Sequence, residues 1–357
     1  MGTCFREEGK KRGDRNFLDP TVAFGPDGAA YFAAIELRSS HIEIISSRDG
    51  GSTWEAPVIK AEPYQDRPFL AVDCTNGKFR GRVYCNYSLA SKPGICASRD
   101  GGKTFDPPKS LAINDGRSAF VGPSVVLSDG TLVMPYEVRI PPADGHSRVS
   151  LRLRRSTSGG ESFLEEQSLL VREYLWARST PMLAVDPGSE AFNDRLYLVW
   201  QEKTYAGMRV MFILSKDKGV NWSQPVVISE QSDPKYGGKG KSYHSLLPSI
   251  AVNGAGIVGV SWYDTRDQRE GKPNCNIRFR ASLDGGKTWL PSVQVTNVPS
   301  SYDLSDDPGG LKAGNWVGDT AGLAADAVGA FHPLWIDNRT GVKQVFTARV
   351  AVDVSPP

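Results

Sequence analysis

Several features that define common protein classes are scarce in this sequence. Cysteine occurs five times in 357 residues, and no two cysteines form a C-x-x-C pair, which excludes a disulfide-dense scaffold and a cysteine-rich zinc site. No run approaches the roughly 18 consecutive apolar residues of a membrane span, and long helical periodicity is also missing. The 42 basic and 40 acidic residues leave a formal net charge of +2. Such a weak field does not indicate nucleic acid or an anionic membrane as the partner.

The composition is typical of a soluble β protein. Hydrophobic residues make up 39% and charged residues 23% of the chain, so a packed core is expected. Glycine (37) and proline (24) are plentiful, and short alternating apolar runs are separated by turn residues. The N-terminal stretch MGTCFREEGKKRGDRN lacks the apolar core of a signal peptide. If the protein is exported, its leader therefore lies outside this sequence.

One eight-residue unit, S-x-D-G-G-x-T-W, recurs along the chain. Three intact or nearly intact copies and two worn copies occupy residues 47–54, 98–105, 282–289, 215–222 and 156–163. Their candidate structural aspartates are Asp49, Asp100, Asp284 and Asp217, and the fifth copy has Ser158 instead. An aspartate can accept backbone N–H groups inside a tight turn, glycine tolerates positive φ, and the aromatic ring anchors the turn in the core. The unit therefore predicts a set of equivalent β-hairpin turns.

A second repeat predicts where the innermost strand of each unit begins. It reads D-P-T-V-A, R-P-F-L-A, G-P-S-V-V, T-P-M-L-A, L-P-S-I-A and D-T-A-G-L, from residues 19, 67, 122, 180, 247 and 319. Proline is tolerated at the first residue of a strand. Further short apolar runs follow each copy, and four antiparallel strands repeated every roughly fifty to seventy residues are typical of a propeller blade.

We therefore predict an all-β fold, a six-bladed β-propeller of four-stranded antiparallel blades that forms a single domain over residues 1–357. The predicted blades span residues 17–62, 63–116, 117–174, 175–232, 242–298 and 315–357. The last blade has only three strands. We expect a segment ahead of Phe17 to supply its outer strand, because closure between the termini would remove exposed strand edges.

Strand direction predicts which face of the disc carries function. The turn units join strands three and four, so the start of strand one and the end of strand two lie on the opposite face, around the central funnel. An acid followed two places later by arginine ends strand two in four blades, as Glu36 and Arg38, Glu137 and Arg139, Asp264 and Arg266, and Asp337 and Arg339. Blade four has Glu202 without the arginine, and blade two has Tyr87. The starts of strand one add Asp19, Asp66, Arg67, Arg178, His244 and Asp319.

These charges admit two interpretations. Residues i and i+2 of a strand share a face, so each acid and arginine can form a local ion pair that bridges neighbouring blades. Alternatively, guanidinium groups bind a ligand carboxylate bidentately, while clustered carboxylates differ in pKa so that one of them donates a proton. For any one pair, the sequence favours the structural role.

The turn unit resembles the Asp-box, or BNR repeat, of sialidases, and blade count and box spacing are similar over nearly the whole chain. The resemblance implies three arginines that hold a sugar carboxylate, a tyrosine activated by a glutamate that attacks, and an aspartate that protonates the leaving group. By residue type and face, the substrate-binding candidates are Arg67, Arg178, Arg266, Arg339, Asp264, Asp337 and His244. The catalytic candidates are Asp66 or Asp19 as the acid, and Glu202 or Glu137 with Tyr302 or Tyr243.

The sequence departs from the sialidase pattern in the first blade. Sialidases usually begin it with Phe-Arg-Ile-Pro, whereas this chain has Phe17-Leu18-Asp19-Pro20, with aspartate in place of the carboxylate-binding arginine. Its one Arg-Ile-Pro, at residues 139–141, follows strand two of blade three. We therefore keep three hypotheses: a sialidase-like glycoside hydrolase, a non-catalytic carbohydrate- or protein-binding propeller, and another hydrolase or lyase on the same scaffold.

Smaller predictions concern cysteine, metal and location. Cys85 and Cys96 face each other if their runs pair as a hairpin, either as a cross-strand disulfide or as buried thiols. The loop with Asp303, Asp306 and Asp307 offers oxygen ligands for Ca²⁺, but its spacing favours a solvated loop, and the four histidines lack metal-ligand spacing. We expect no metal and no cofactor, and a secreted or periplasmic monomer whose partner is a glycan or another small molecule.

Overall fold

Strands are the only regular elements in the described part of the chain. The computed structural model describes residues 16–55, 58–59, 65–113, 115–116, 118–140, 148–173, 180–204, 207–230, 243–267, 275–301 and 321–353. The strands within these ranges form six consecutive antiparallel units. The fold is the all-β six-bladed β-propeller that the repeats predict.

The strands of each blade follow one another in chain order. Blade 1 contains β1 (Phe17–Phe24), β2 (Ala30–Glu36), β3 (His41–Ser47) and β4 (Val58–Ile59). Blade 2 contains β5 (Gln65–Val72), β6 (Val83–Leu89), β7 (Lys92–Ser98) and β8 (Lys109–Ser110). Blade 3 has a divided inner strand and contains β9 (Ser118–Val121), β10 (Val125–Val126), β11 (Leu132–Ile140), β12 (Arg148–Ser156) and β13 (Gln167–Glu173).

The remaining blades repeat the order. Blade 4 contains β14 (Met182–Val185), β15 (Leu196–Thr204), β16 (Gly207–Ser215) and β17 (Val226–Val227). Blade 5 contains β18 (Tyr243–Val252), β19 (Val258–Asp264), β20 (Asn276–Ser282) and β21 (Val293–Gln294). Blade 6 contains β22 (Gly322–Ala325), β23 (Phe331–Asp337) and β24 (Gln344–Thr347). Residues 1–15, which are predicted to complete blade 6, lie outside the described residues.

The S-x-D-G-G turns form one recurring hydrogen-bond pattern. In blade 2, Asp100 accepts the Thr104 amide at 2.9 Å, the Thr104 hydroxyl at 2.6 Å and the Ser98 hydroxyl at 2.8 Å. Ser98 Oγ in turn accepts the amide of Gly102 at 2.7 Å, where φ is +90°. Desolvation alone would raise the pKa of Asp100, but these hydrogen bonds outweigh it and lower the pKa to about 2. The turns of Asp49 and Asp284 have the same bonds, and in the turn of Asp217 the side-chain amide of Asn221 replaces the threonine hydroxyl.

Arginine side chains fasten two of these turns to the preceding blade. Arg82 lies directly before β6 of blade 2. It donates to the carbonyl of Gly159 in the blade 3 turn at 2.6 Å and stacks on Phe79. A Cβ at Gly159 would collide with both side chains, so only glycine allows this approach. The same contact recurs between blades 4 and 5, with Arg195, Phe192 and Gly285.

Apolar clusters fill the seams between consecutive blades. The cluster of Ile42, Ile44, Leu70 and Tyr87 joins blades 1 and 2, and equivalent clusters join the later pairs. Blades 4 and 5 are also joined by a short parallel pairing of β16 with β18. The side of β1 that faces away from blade 2 is more open, since Phe24 is 63% exposed.

The predicted hairpin of the two cysteines is present. Cys85 and Cys96 are directly opposite partners in the β6–β7 ladder, and both side chains are buried. Both are thiols in this structure, which corresponds to the second of the two expected states.

The turn pattern predicts a stability difference between two copies. Asp100→Ala removes three hydrogen bonds, whereas Ser158→Ala removes the weaker set that a hydroxyl makes, chiefly with the Ser162 amide at 2.9 Å. We expect Asp100→Ala to lower the free energy of unfolding by about 1 kcal/mol, and Ser158→Ala to lower it by less. Urea titrations of both variants measure this difference; equal losses would show that the aspartate stabilises its turn no more than the serine does.

Candidate functional site

The inner strand begins with an unusual backbone in three blades. Asp19, Arg67 and Leu247 have φ values of 51°, 54° and 48°, and each precedes a proline. The strand register shifts at the same place in β1, β5 and β18. A left-handed residue before proline is disfavoured by about 1–3 kcal/mol. Bulges of this kind redirect side chains at the rims of sheets. The three side chains therefore interrupt the regular alternation between the two faces of their strands.

The equivalent position in blade 3 is Gly122. A Cβ there would collide with the carbonyl of Pro181 in blade 4, so the inner strands of these blades approach closely. Asn86 of blade 2 also donates to the Gly122 carbonyl at 2.8 Å. This close approach brings blades 2, 3 and 4 together where their inner strands begin.

Arg67 crosses from blade 2 to blade 4 at this point. Its Nη1 donates to Thr180 Oγ1 at 3.0 Å, and its guanidinium carbon lies 5.0 Å from the centre of the Phe120 ring in blade 3. Arg139, at the end of β11, contacts the same ring at 4.9 Å. Asp66 is half exposed beside Arg67, with its carboxylate 4.0 Å from Nε. Two guanidinium groups and one accessible carboxylate therefore meet around Phe120.

Glu137 is the buried acid of the same region. It is 1% exposed and accepts a hydrogen bond from Arg172 Nη2 at 2.7 Å. Burial raises the pKa of Glu137, while Arg172, Arg139 and Arg67 oppose that shift. Three arginines from blades 2 and 3 therefore act electrostatically on one carboxylate.

Glu202 extends this network into blade 4. Its carboxylate accepts hydrogen bonds from Arg209 at 3.0 and 3.3 Å and lies 3.9 Å from Arg172 Nε. Arg172 therefore connects two of the predicted residues, Glu137 and Glu202, and Arg67 acts electrostatically on the first of them. Arg172 and Phe120 belong to no repeated pattern of the sequence, and Thr180, which opens the fourth inner-strand repeat, is not among the candidate site residues because it carries no charge.

Arg266 and Arg339, predicted to bind substrate, are instead engaged in local clamps. Arg266 donates to Asp264 through Nε and Nη2, both at 2.8 Å, and to Glu230 through Nη1 at 2.6 Å. Arg339 pairs in the same way with Asp337 and also donates to Asn297. Asp264 and Asp337 are each fully buried. These two pairs follow the structural interpretation of the acid and arginine repeat.

The acids of this repeat do not all occupy the same register position in their blades. The second strand of each blade can be numbered from the residue that pairs with the serine of the turn. Asp264 lies six residues after that residue in blade 5, and Glu36 and Glu202 lie at the same position in blades 1 and 4. In blade 3 it is Val138, so Glu137 lies one residue earlier and faces the other side of its sheet. Glu137 therefore lies on the face where Ser88 and Tyr263 of other blades bond to the next blade.

The remaining predicted residues lie elsewhere or outside the described part. His244 is buried at the start of β18, and burial, with a contribution from Lys203, lowers its pKa. Asp19 lies one blade before Arg67 at the equivalent bulge. Arg178, Tyr302 and the side chain of Tyr243 lie outside the described residues, as do Asp319 and the acidic loop with Asp303, Asp306 and Asp307.

A tyrosine–glutamate contact does occur, but inside blade 3. Tyr136 donates to Glu166 at 2.6 Å, and the other oxygen of Glu166 binds Arg152, which also pairs with Asp115. Burial, and then Glu166, raise the pKa of Tyr136. A raised pKa weakens a phenol as a nucleophile, so this contact has the character of a structural hydrogen bond.

The described residues hold no group of three or more histidine, cysteine, aspartate or glutamate side chains arranged for a metal ion. The same residues include no helix with the length and apolar character needed to cross a membrane.

The fold is that of the sialidase-like β-propellers. No protein-family model matches the sequence. A curated sialidase of Bacteroides fragilis (strain YCH46) is 23% identical over 313 residues, which are 74% of this chain and 51% of the relative. The chain therefore spans about half the length of the curated relative that it matches.

Solved structures of the same fold are similar at lower identity. The intramolecular trans-sialidase of Ruminococcus gnavus, in complex with oseltamivir carboxylate, is 12% identical with a TM-score of 0.59, over 96% of each chain. An α-L-arabinanase of Penicillium chrysogenum, complexed with arabinobiose, is 15% identical with a TM-score of 0.54, over 90% of each chain. Likeness at this level shows the propeller fold, and one fold hosts many chemistries.

The Arg266 clamp generates a prediction about pH. Partial burial alone would raise the pKa of Glu230, but hydrogen bonds from the amide and hydroxyl of Ser292 and the ion pair with Arg266 lower it to about 2, from an ordinary 4.5. The charged carboxylate therefore stabilises the fold above pH 4.5, and this contribution is lost as the pH falls through 2.

Glu230→Gln should consequently destabilise the protein near pH 7, by about 1 kcal/mol after solvent screening. The difference from wild type should shrink as the pH falls from 4.5 towards 2. Denaturant titrations at pH 7 and pH 3 measure it, with the exposed Glu190→Gln as the control. A difference that stays constant with pH would refute the assigned role of the carboxylate charge.

Proposed function

We propose that this protein is a sialidase-like glycoside hydrolase that binds a carboxylate-bearing glycan in the funnel opposite the Asp-box turns. The observation that supports the proposal most is the meeting of Arg67 and Arg139 around the Phe120 ring, near the buried pair of Arg172 with Glu137. Guanidinium groups recognise carboxylates with two parallel hydrogen bonds. A positive potential in a concave, partly buried centre attracts an anionic sugar.

Arg67 is held in place before any ligand arrives. Its backbone is strained at φ 54°, Thr180 accepts one of its hydrogen bonds, and Phe120 supports the plane of the guanidinium group. Such preorganisation lowers the cost of ordering the side chain when a ligand binds. Backbone strain of this kind is concentrated at ligand sites, which supports a binding role for Arg67.

Asp66 is the proposed general acid. Its side chain is 49% exposed beside Arg67, so it is accessible to a glycosidic oxygen bound nearby. Asp19, at the equivalent bulge of the adjacent blade, is the second carboxylate of this rim. The nucleophile that the sialidase resemblance implies, Tyr302 or Tyr243 with Glu202 or Glu137, stays a proposal, as does the secreted or periplasmic location of a monomer.

One observation favours the alternative function, a non-catalytic glycan-binding propeller. Glu137 and Glu202 share Arg172, and Glu202 also pairs with Arg209, so neither acid lacks a counter-charge. A carboxylate saturated by arginines is a poor base for activating a tyrosine. Binding without turnover remains compatible with this arrangement.

Hydrolysis of a fluorogenic sialoside tests the enzymatic proposal. We expect turnover by the wild type and a loss of about 100-fold or more in Arg67→Ala, because a charge-assisted contact to the substrate carboxylate is removed. Asp66→Asn should lower kcat strongly and change KM little. Arg99→Ala is the matched control, since this exposed arginine pairs with Asp106 and Glu161 on the Asp-box side, and it should retain activity.

The same variants separate the two functions. One outcome is that the wild type binds a glycan array without turning over the sialoside or other aryl glycosides, and that Arg67→Ala loses this binding. This result would support the non-catalytic binding propeller and contradict the hydrolase. Because Arg67 is buried, circular dichroism and thermal unfolding must first show that the variant is folded. Equal behaviour of Arg67→Ala and Arg99→Ala in both assays would contradict a ligand site at the centre of the disc.

A further inference from the structure

A tryptophan and an acid form a fixed pair in the last two blades. The indole N–H of Trp262 donates to Asp264 at 2.8 Å, and that of Trp335 donates to Asp337 at 3.1 Å. In both blades the acid lies two residues after the tryptophan, and the arginine two residues further on binds the same carboxylate. In both blades the buried indole N–H therefore has an acceptor on its own strand.

Blade 4 has the same tryptophan without this pairing. Trp200 occupies the position of Trp262, because Leu196 and Val258 both pair with the serine that begins the following turn. Its acid, Glu202, is one methylene longer and binds Arg209 instead. Trp200 is 1% exposed, and its Nε1 has no hydrogen-bond acceptor.

A second buried donor without an acceptor faces Trp200 from blade 3. Arg172 Nη2 donates to Glu137 and Nε lies near Glu202, but Nη1 is buried and has no hydrogen-bond partner. The guanidinium carbon of Arg172 lies 5.7 Å from the centre of the Trp200 ring. The seam between blades 3 and 4 therefore presents two N–H donors, one of them cationic, from two neighbouring elements.

Buried donors are rarely left without an acceptor, and an ordered water or an ion is the usual explanation. The charge of the donor favours the ion, because Arg172 Nη1 belongs to a buried guanidinium group. An anion gains from a charge-assisted N–H bond where a water gains only a neutral one. Departures from a repeated pattern also tend to mark functional positions.

We propose that the seam between blades 3 and 4 binds a small monovalent anion of the halide type, held by Arg172 Nη1 and Trp200 Nε1. The anion links the two blades and fixes the orientation of Arg172, which in turn binds Glu137. This inference stands on the two donors and does not depend on the proposed glycan activity.

Thermal unfolding in chloride and in gluconate at constant ionic strength tests the proposal. A ligand at 100 times its Kd should raise the Tm of a chain of this size by about 3 °C, and the rise should saturate with chloride. Trp200→Phe keeps an aromatic ring but removes the N–H donor. It should raise the chloride concentration that gives half of the maximal rise in Tm at least tenfold. The matched variant Trp262→Phe removes an N–H that already has an acceptor, so its chloride response should equal that of the wild type.

The readout is the chloride dependence, so a general loss of stability in either variant does not obscure it. Crystals soaked in bromide should show an anomalous peak within hydrogen-bond distance of Arg172 Nη1 and Trp200 Nε1. No chloride dependence in the wild type, an unchanged dependence in Trp200→Phe, or a water molecule at this position in bromide would each overturn the proposal.

Discussion

The packing of each blade against the next is the interaction on which the rest of this structure depends. A four-stranded sheet cannot bury both faces alone, so the propeller is stable only because consecutive sheets cover one another. Polar contacts fix the relative position of the blades: Arg82 fastens the edge turns, Ser88 and Tyr263 bond across the middle, and Gly122 allows close approach at the centre. The role of a side chain in this fold therefore depends on the pair of blades between which it lies.

Local chemistry made much of the fold predictable from sequence. The turns of Asp49 and Asp100 need only residues within eight positions of each other, and the proline after Asp19 or Arg67 marks a strand start by its own geometry. The cysteine pair followed in the same way, because hairpin register is set by a short connection. Features of this kind require no knowledge of distant contacts.

The candidate site was less predictable, because its geometry depends on register and on contacts between blades. Glu137 and Asp264 look equivalent in the sequence, yet one residue of register places them on opposite faces of their sheets. Arg67 meets Thr180 across 113 positions of the chain, and Arg172 carries no motif at all. Sequence patterns therefore identified repeated acids and arginines at the strand ends but could not tell which of them would meet.

The seams themselves show how the same residue types divide between stability and function. In blades 5 and 6 the acid is an aspartate, short enough to stay on its own strand, where it satisfies both the tryptophan of that strand and the arginine that follows. In blade 4 the acid is Glu202, which reaches outward to arginines and leaves the indole of Trp200 without that acceptor. One added methylene therefore leaves the indole N–H of Trp200 without an acceptor, at the seam where Arg172 Nη1 also lacks one.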